Sequence, residues 1–200
     1  ALEPEITARG KFLVRQGARS KGLGPTTLVI DGGTLLTPKN PSYAIIPDRI
    51  EAGSFLILGA LLTRELNITD CEPEHLEAVI SLLRTAGATI EIGEKQITIH
   101  TTPHQSYRGL NIITHEYPGL PTDLQALMSV FLTQAKGESR IFETIFEGRL
   151  GHLETLARMG AKINIHNQHQ ATIVGPTPLS GHTVISPDLR AGLAYLLAGL

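Results

Sequence analysis

The chain has 200 residues, 42% of them apolar and 18% charged, with a formal net charge of −2 and a single cysteine. That composition belongs to a packed globular protein, and one cysteine excludes an intrachain disulfide. No basic, aromatic-interleaved patch marks a nucleic-acid surface, and the apolar run 52–62 is too short to span a bilayer, so neither nucleic acid nor membrane is expected as a partner. The lone Cys71 fits a reducing, cytoplasmic setting. The chain opens without Met and stops inside a helical pattern, which reads as a fragment of a longer protein.

In chain order, "ITARGKFLVRQGARS" comes first and predicts an amphipathic helix that stops at Gly17-Ala18. Glu3 and Glu5 precede it, a favourable charge at a helix start. The Gly- and Pro-bearing stretch 31–44, "DGGTLLTPKNPSYA", reads as a linker. "PDRIEAGSFLILGALL" from Pro47 then predicts a helix with no wide polar face. "HLEAVISLLRTAGATIEI" carries an apolar stripe at Leu76, Val79, Ile80 and Leu83, stops at Gly87-Ala88, and leads into strands over 89–92 and 96–101.

The pattern repeats. "PTDLQALMSVFLTQA" from Pro121 is a second all-apolar helix, and "GHLETLARMGAKINIH" a second amphipathic one, stopping at Gly160-Ala161 before strands at 162–166 and 171–174. "PDLRAGLAYLLAGL" from Pro187 starts a third apolar helix. A Gly just past the last turn is a common helix stop. Helices apolar all round are normally buried on all sides. The repeating unit is therefore strand, buried helix, strand, amphipathic helix, strand, strand. Residues 40–105 and 106–178 are two copies, 180–200 begin a third, and 1–35 are the tail of an earlier one. Buried helices inside and one-sided sheets outside are the expected arrangement.

Each apolar helix starts with Pro and then an acid: Asp48, Asp123 and Asp188. A carboxylate there caps orphan backbone N–H groups, and capping alone accounts for all three. Asp123 is also a candidate for proton transfer, and residue spacing leaves both readings open. Arg190 and Arg149 offer forks for phosphate or carboxylate; a solvated surface Arg is the plain alternative. Asp48 and Arg49 read as a cap and an ion-pairing Arg, and Ile145 as core. His166 and His169 read as part of a turn rather than a zinc site, "GLG" at 22–24 is too short for a phosphate loop, and Cys71 reads as a buried structural thiol.

The strings "YPGLPTDLQA", "ETIFEGRLGHLETLARMGA", "SPDLRAGLAYLLAGL", "EPEI" at 3–6 and "IPDRIEAGSFL" at 46–56 resemble the UDP-N-acetylglucosamine enolpyruvyl transferases over essentially the whole chain. The resemblance implies an inverse α/β barrel of two domains built from βαβαββ units. Residues 1–40 would be the C-terminal tail of the first domain and 41–200 most of the second, truncated at its end. It implies transfer of the enolpyruvyl group of phosphoenolpyruvate to the 3-hydroxyl of UDP-N-acetylglucosamine, in the cytoplasm, for peptidoglycan synthesis, without metal or cofactor. It implies that Asp123 holds the 3-hydroxyl and that Ile145 contacts the nucleotide. Asp48, Arg49, Arg149, Asp188, Arg190 and Glu3 would lie at or near the substrates. The family's Lys-Asn pair, its Cys-bearing loop and a late Arg are missing from 1–200, so a partner for this chain would be the remainder of its own first domain. The alternatives are a non-catalytic piece that only binds nucleotide sugar, and an enzyme like 5-enolpyruvylshikimate-3-phosphate synthase.

Overall fold

The computed structural model describes residues 2–37, 42–102, 105–186 and 188–200. Pro187, residues 38–41 of the expected linker, and the expected boundary at 40/41 lie outside the described residues.

Helix α1 (Pro4–Arg15) is followed by a small antiparallel hairpin, β1 (Arg19–Lys21) with β2 (Val29–Asp31). Next come α2 (Arg49–Leu62), β3 (Glu65–Thr69), α3 (Glu77–Ala86), β4 (Thr89–Ile92) and β5 (Gln96–His100). These strands form an antiparallel sheet in the order β3-β5-β4. Period-two alternation decides its faces: Ile97 and Ile99 are fully buried while Gln96 points out. A third block follows: β6 (Asn111–Ile113), α4 (Gln125–Gln134), β7 (Gly137–Phe142), α5 (His152–Arg158), β8 (Lys162–Ile165) and β9 (Gln170–Gly175). Its sheet runs β6-β7-β9-β8, with β6 and β7 parallel and the rest antiparallel. The parallel pair needs a crossover, and α4 supplies it. Helix α6 (Leu189–Ala198) ends the chain.

The expected helix stops form as read. Gly17, Gly87 and Gly160 sit at φ of 102°, 114° and 109°, a left-handed geometry that costs a glycine little. Both expected sheet hairpins form too. One expected strand does not: the second block has no strand before α2 among the described residues, so its sheet has three strands and the next one four.

Helix α4 is the centre of the molecule, with every residue from Gln125 to Thr133 buried. It packs against α2, α5, α6 and β9. The expectation that all three apolar helices are enclosed holds for α4 alone. Helix α2 leaves Phe55 and Leu62 exposed, and α6 leaves Leu189, Leu193 and Leu196 exposed. The reason is position: α4 lies between the other two, and no described element covers their outer faces. Tyr107 ties the layers together. Its hydroxyl donates to the Ala60 carbonyl at 2.6 Å, its ring packs on Phe131, and burial pushes its pKa up to about 12.

Candidate functional site

The starts of α2, α4 and α6 lie around one open cavity of about 760 Å³, which Asp48, Arg49, Asp123 and Arg190 all line together with Glu5 and Tyr43. A second cavity of about 630 Å³ adjoins it and is lined by Asp123, Asp188 and Arg190 along with Ser54 and Ser186. Asp123 and Arg190 line both, so they stand on the border between two lobes.

The three helix-start acids do different work. Asp48 caps α2, its Oδ1 accepting from the Ile50 and Glu51 amides at 2.8 and 3.1 Å. Asp188 caps α6 in the same way, accepting from the Arg190 and Ala191 amides. Asp123 caps nothing. It sits inside a short 3-10 turn, Thr122–Leu124, that leads into α4, and neither helix start there has a side-chain cap. Counted from the proline, Thr122 occupies the place of Asp48 and Asp188, and Asp123 falls one residue later. The expectation of three equivalent caps is corrected by that one-residue offset.

Freed from the backbone, the Asp123 carboxylate holds two guanidinium groups. Arg149 donates to Oδ1 at 2.7 Å and Arg190 donates to Oδ2 at 3.0 Å. All three side chains keep partial exposure, between 22% and 37%, so water and a ligand can reach them. Arg149 lies in the turn Arg149–Gly151 before α5 and also stacks over Phe146, 5.0 Å from the ring centre. Arg49 is more enclosed, its side chain 10% exposed. It donates to both oxygens of Glu5, at 2.8 and 3.4 Å, and lies over Tyr117.

Two expected residues stand apart. Glu3 precedes α1 and accepts backbone bonds through its carbonyl, while Glu5 is the acid that reaches the cavity. Ile145 is half-buried in the turn after β7, outside both cavity linings.

Two buried polar residues shape the site and escaped the sequence reading. Glu143 is fully buried, and its carboxylate accepts from the Thr122 hydroxyl and from the Ile145 and Phe146 amides. It thereby ties the turn before α4 to the turn after β7. Neutral donors satisfying a buried carboxylate on several sides offset its desolvation. The available signal was an acid set between the apolar residues Ile141, Phe142 and Ile145. His152 is buried in the first turn of α5. Burial pushes its pKa down to about 4, against an opposing pull from the Arg149 carbonyl, so the ring is neutral near pH 7.

Among the described residues no group of three or more His, Cys, Asp or Glu is placed to hold a metal ion, and no helix is long and apolar enough to cross a membrane. His166 and His169 flank the β8–β9 turn, bonded to Thr172 and to the Glu143 carbonyl. Cys71 is buried, and burial pushes its thiol pKa up, which is the opposite of what a nucleophile needs.

Residues 1–200 match the family model for EPSP synthase (3-phosphoshikimate 1-carboxyvinyltransferase). The chain is 41% identical to a UDP-N-acetylglucosamine 1-carboxyvinyltransferase of Solibacter usitatus and 44% identical to one of Desulfatibacillum aliphaticivorans. Each match covers 100% of this chain and 47% of the relative. The chain thus spans about half the length of these relatives. Among solved structures, the enolpyruvyl transferase NikO from Streptomyces tendae superposes with a TM-score of 0.79 at 25% identity, over 98% of this chain and 46% of that one. EPSP synthase from Acinetobacter baumannii shares the fold, with a TM-score of 0.59 at 20% identity over 79% of this chain and 38% of that one.

Proposed function

The chain belongs to the EPSP synthase family of enolpyruvyl transferases, and from that premise we propose that it is most of the second domain of a UDP-N-acetylglucosamine enolpyruvyl transferase. Residues 1–40 are then the tail of the first domain, and helices inside with sheets outside are part of an inverse α/β barrel. The whole enzyme joins the 3-hydroxyl oxygen of UDP-N-acetylglucosamine to the enolpyruvyl carbon of phosphoenolpyruvate. The carbon–oxygen bond to phosphate breaks, phosphate leaves, and the hydroxyl proton ends on the departing phosphate. This reading calls for no metal or cofactor and puts the work in cytoplasmic peptidoglycan synthesis.

One observation carries the reading: Asp123 is an acid at a helix start that caps nothing and instead sits between two arginines on the border of two cavities. In this reading Asp123 receives or orients the sugar hydroxyl. Arg149 and Arg190 pass from Asp123 to the anionic groups of the substrates, where a planar fork suits phosphate and carboxylate. Asp188, Asp48 and Arg49 frame the cleft, and Ile145 and Glu3, which line neither cavity, would meet the substrates only in the whole enzyme.

Phosphate release from the two substrates tests this. The full-length protein is expected to turn over and the 200-residue chain is not, because the cleft needs groups from both domains. Asp123→Asn in the full-length protein should lower kcat by about 10²- to 10⁴-fold, the usual worth of a positioned proton acceptor, with the fold intact by circular dichroism. An Asn variant that merely loses stability while keeping kcat overturns the role. The family model's own name favours a second reading, a 3-phosphoshikimate substrate. Phosphate release from phosphoenolpyruvate with shikimate-3-phosphate, and none with the sugar nucleotide, would establish that one instead.

A further inference from the structure

Helix α4 is apolar on nearly every side, yet Ser129 in its second turn is a fully buried hydroxyl. Its partner is His152. The His152 Nε2 lies 3.1 Å from Ser129 Oγ, and Nδ1 lies 3.1 Å from the carbonyl oxygen of Arg149. A carbonyl only accepts, so in the neutral ring Nδ1 carries the hydrogen and Nε2 is the acceptor. The Ser129 hydroxyl, which also lies 2.9 Å from the Gln125 carbonyl, supplies the matching proton. That carbonyl already has the helix ladder for a donor.

The result is a rigid buried strut. One end grips the backbone of Arg149, and the other grips α4 one turn beyond the turn that carries Asp123. Between those ends, and outside the core, runs the 2.7 Å bond from Arg149 to Asp123. The turn that Arg149 starts follows Gly148 at φ 70° and lacks a side-chain cap, while the guanidinium itself rests on Phe146 and Asp123. We propose that His152 is a positioning residue: by donating its Nδ1–H to the Arg149 carbonyl, with Ser129 on Nε2 fixing the tautomer, it sets how far the Arg149 guanidinium reaches toward Asp123. The claim rests on the functional reading of Asp123 and Arg149 given above. His152 itself touches neither lobe of the cavity.

The test compares two amides in the full-length protein. His152→Asn places an N–H where Nδ1 was and keeps the grip on Arg149. His152→Gln reaches toward Ser129 and loses it. Phosphate release should fall on the order of tenfold to a hundredfold in kcat/KM for the Gln variant, as for a small misplacement of a reacting group, and should recover for the Asn variant. In an Arg149→Ala background the Asn and Gln variants should become equal, because the strut then has nothing to aim. A second readout needs no turnover. The Nη–H resonance of Arg149, whose Nη2 donates to Asp123 in the parent protein, should collapse toward free arginine in His152→Gln and persist in His152→Asn. If the two variants match in kcat/KM with Arg149 intact, or if the Arg149 resonance is unmoved in both, His152 is only core filling and the proposal is wrong. A parent protein that releases no phosphate from these substrates overturns the functional reading, and the resonance alone then decides the strut.

Discussion

A histidine buried in an α-helix and satisfied at both nitrogens makes stability depend on acid. The pKa of His152 in the fold is about 4, against 6.5 for the unfolded chain. Between those values the unfolded state binds a proton that the folded state refuses, so stability falls as pH drops from 6.5 toward 4 and levels off below it. The span corresponds to about 3 kcal/mol. Arg149, Asp188 and Glu143 are the charged groups that bear on the ring; Arg149 deepens the depression, and the two acids soften it. Urea melts of this chain from pH 7 to 4 should show the loss, and His152→Asn should flatten it. An equally steep profile in the Asn variant would assign the acid sensitivity elsewhere. At this scale the sequence was only partly readable. Asp48 and Asp188 cap as their letters suggest, whereas Asp123 shares the letter and not the job. The difference is the inserted Thr122, visible only when the three starts are counted from their prolines. Glu143 and His152 were not readable as site-shaping residues, because their partners Thr122 and Ser129 lie 21 and 23 residues away and no local pattern announces such a pairing.

Elements pack here with little slack, and α4 shows what that implies. At its end, Gly175 of β9 lies against the last turn: a methyl at that Cα would meet the carbonyl oxygens of Thr133 and Leu132 at 2.6 and 2.9 Å, and that of Ala135 closer still. Those are backbone atoms at a helix end and cannot move aside as a side chain can. Gly175→Ala should therefore cost about 3 kcal/mol, the upper range for overpacking. Thermal denaturation measures it, and a shift under about 1 kcal/mol would show that the β9–α4 contact is loose. The first residue of α4 behaves in the opposite way. The Gln125 amide is fully buried, and neither its oxygen nor its nitrogen has a partner. An unsatisfied buried amide carries a desolvation cost of about 1–3 kcal/mol, so Gln125→Met, similar in length, should raise the melting temperature. A lower one would mean the amide is satisfied in solution. The elements themselves were legible because glycine stops and a period-two alternation are local signals. The enclosure of α2 and α6 was not, because apolar letters report what a helix can bury and not which neighbour is there to bury it.

Across the whole molecule, several contacts between α1 and the residues beyond β2 meet at Tyr43 and Arg49. The Tyr43 hydroxyl donates to the Ala8 carbonyl at 2.8 Å, its ring meets Phe12 edge-on, and Arg15 lies over its face. Arg49 reaches from the start of α2 to Glu5 in α1. Helix α1 exposes Phe12, Leu13 and Val14 in part, so its own burial does little to hold it. The Arg49–Glu5 pair is bidentate and the Arg is enclosed, yet Glu5 is about half exposed (48%), which screens the attraction. A coupling of about 1 kcal/mol is what such a pair contributes. A double-mutant cycle of Glu5→Gln and Arg49→Gln, read by amide hydrogen exchange along α1, should return that value. Tyr43→Leu should speed exchange in α1 further while leaving α4 and β9 protected, because the bond and ring contacts described for Tyr43 all go to α1. Uniform loss of protection across the chain would mean that α1 and the core unfold as one unit.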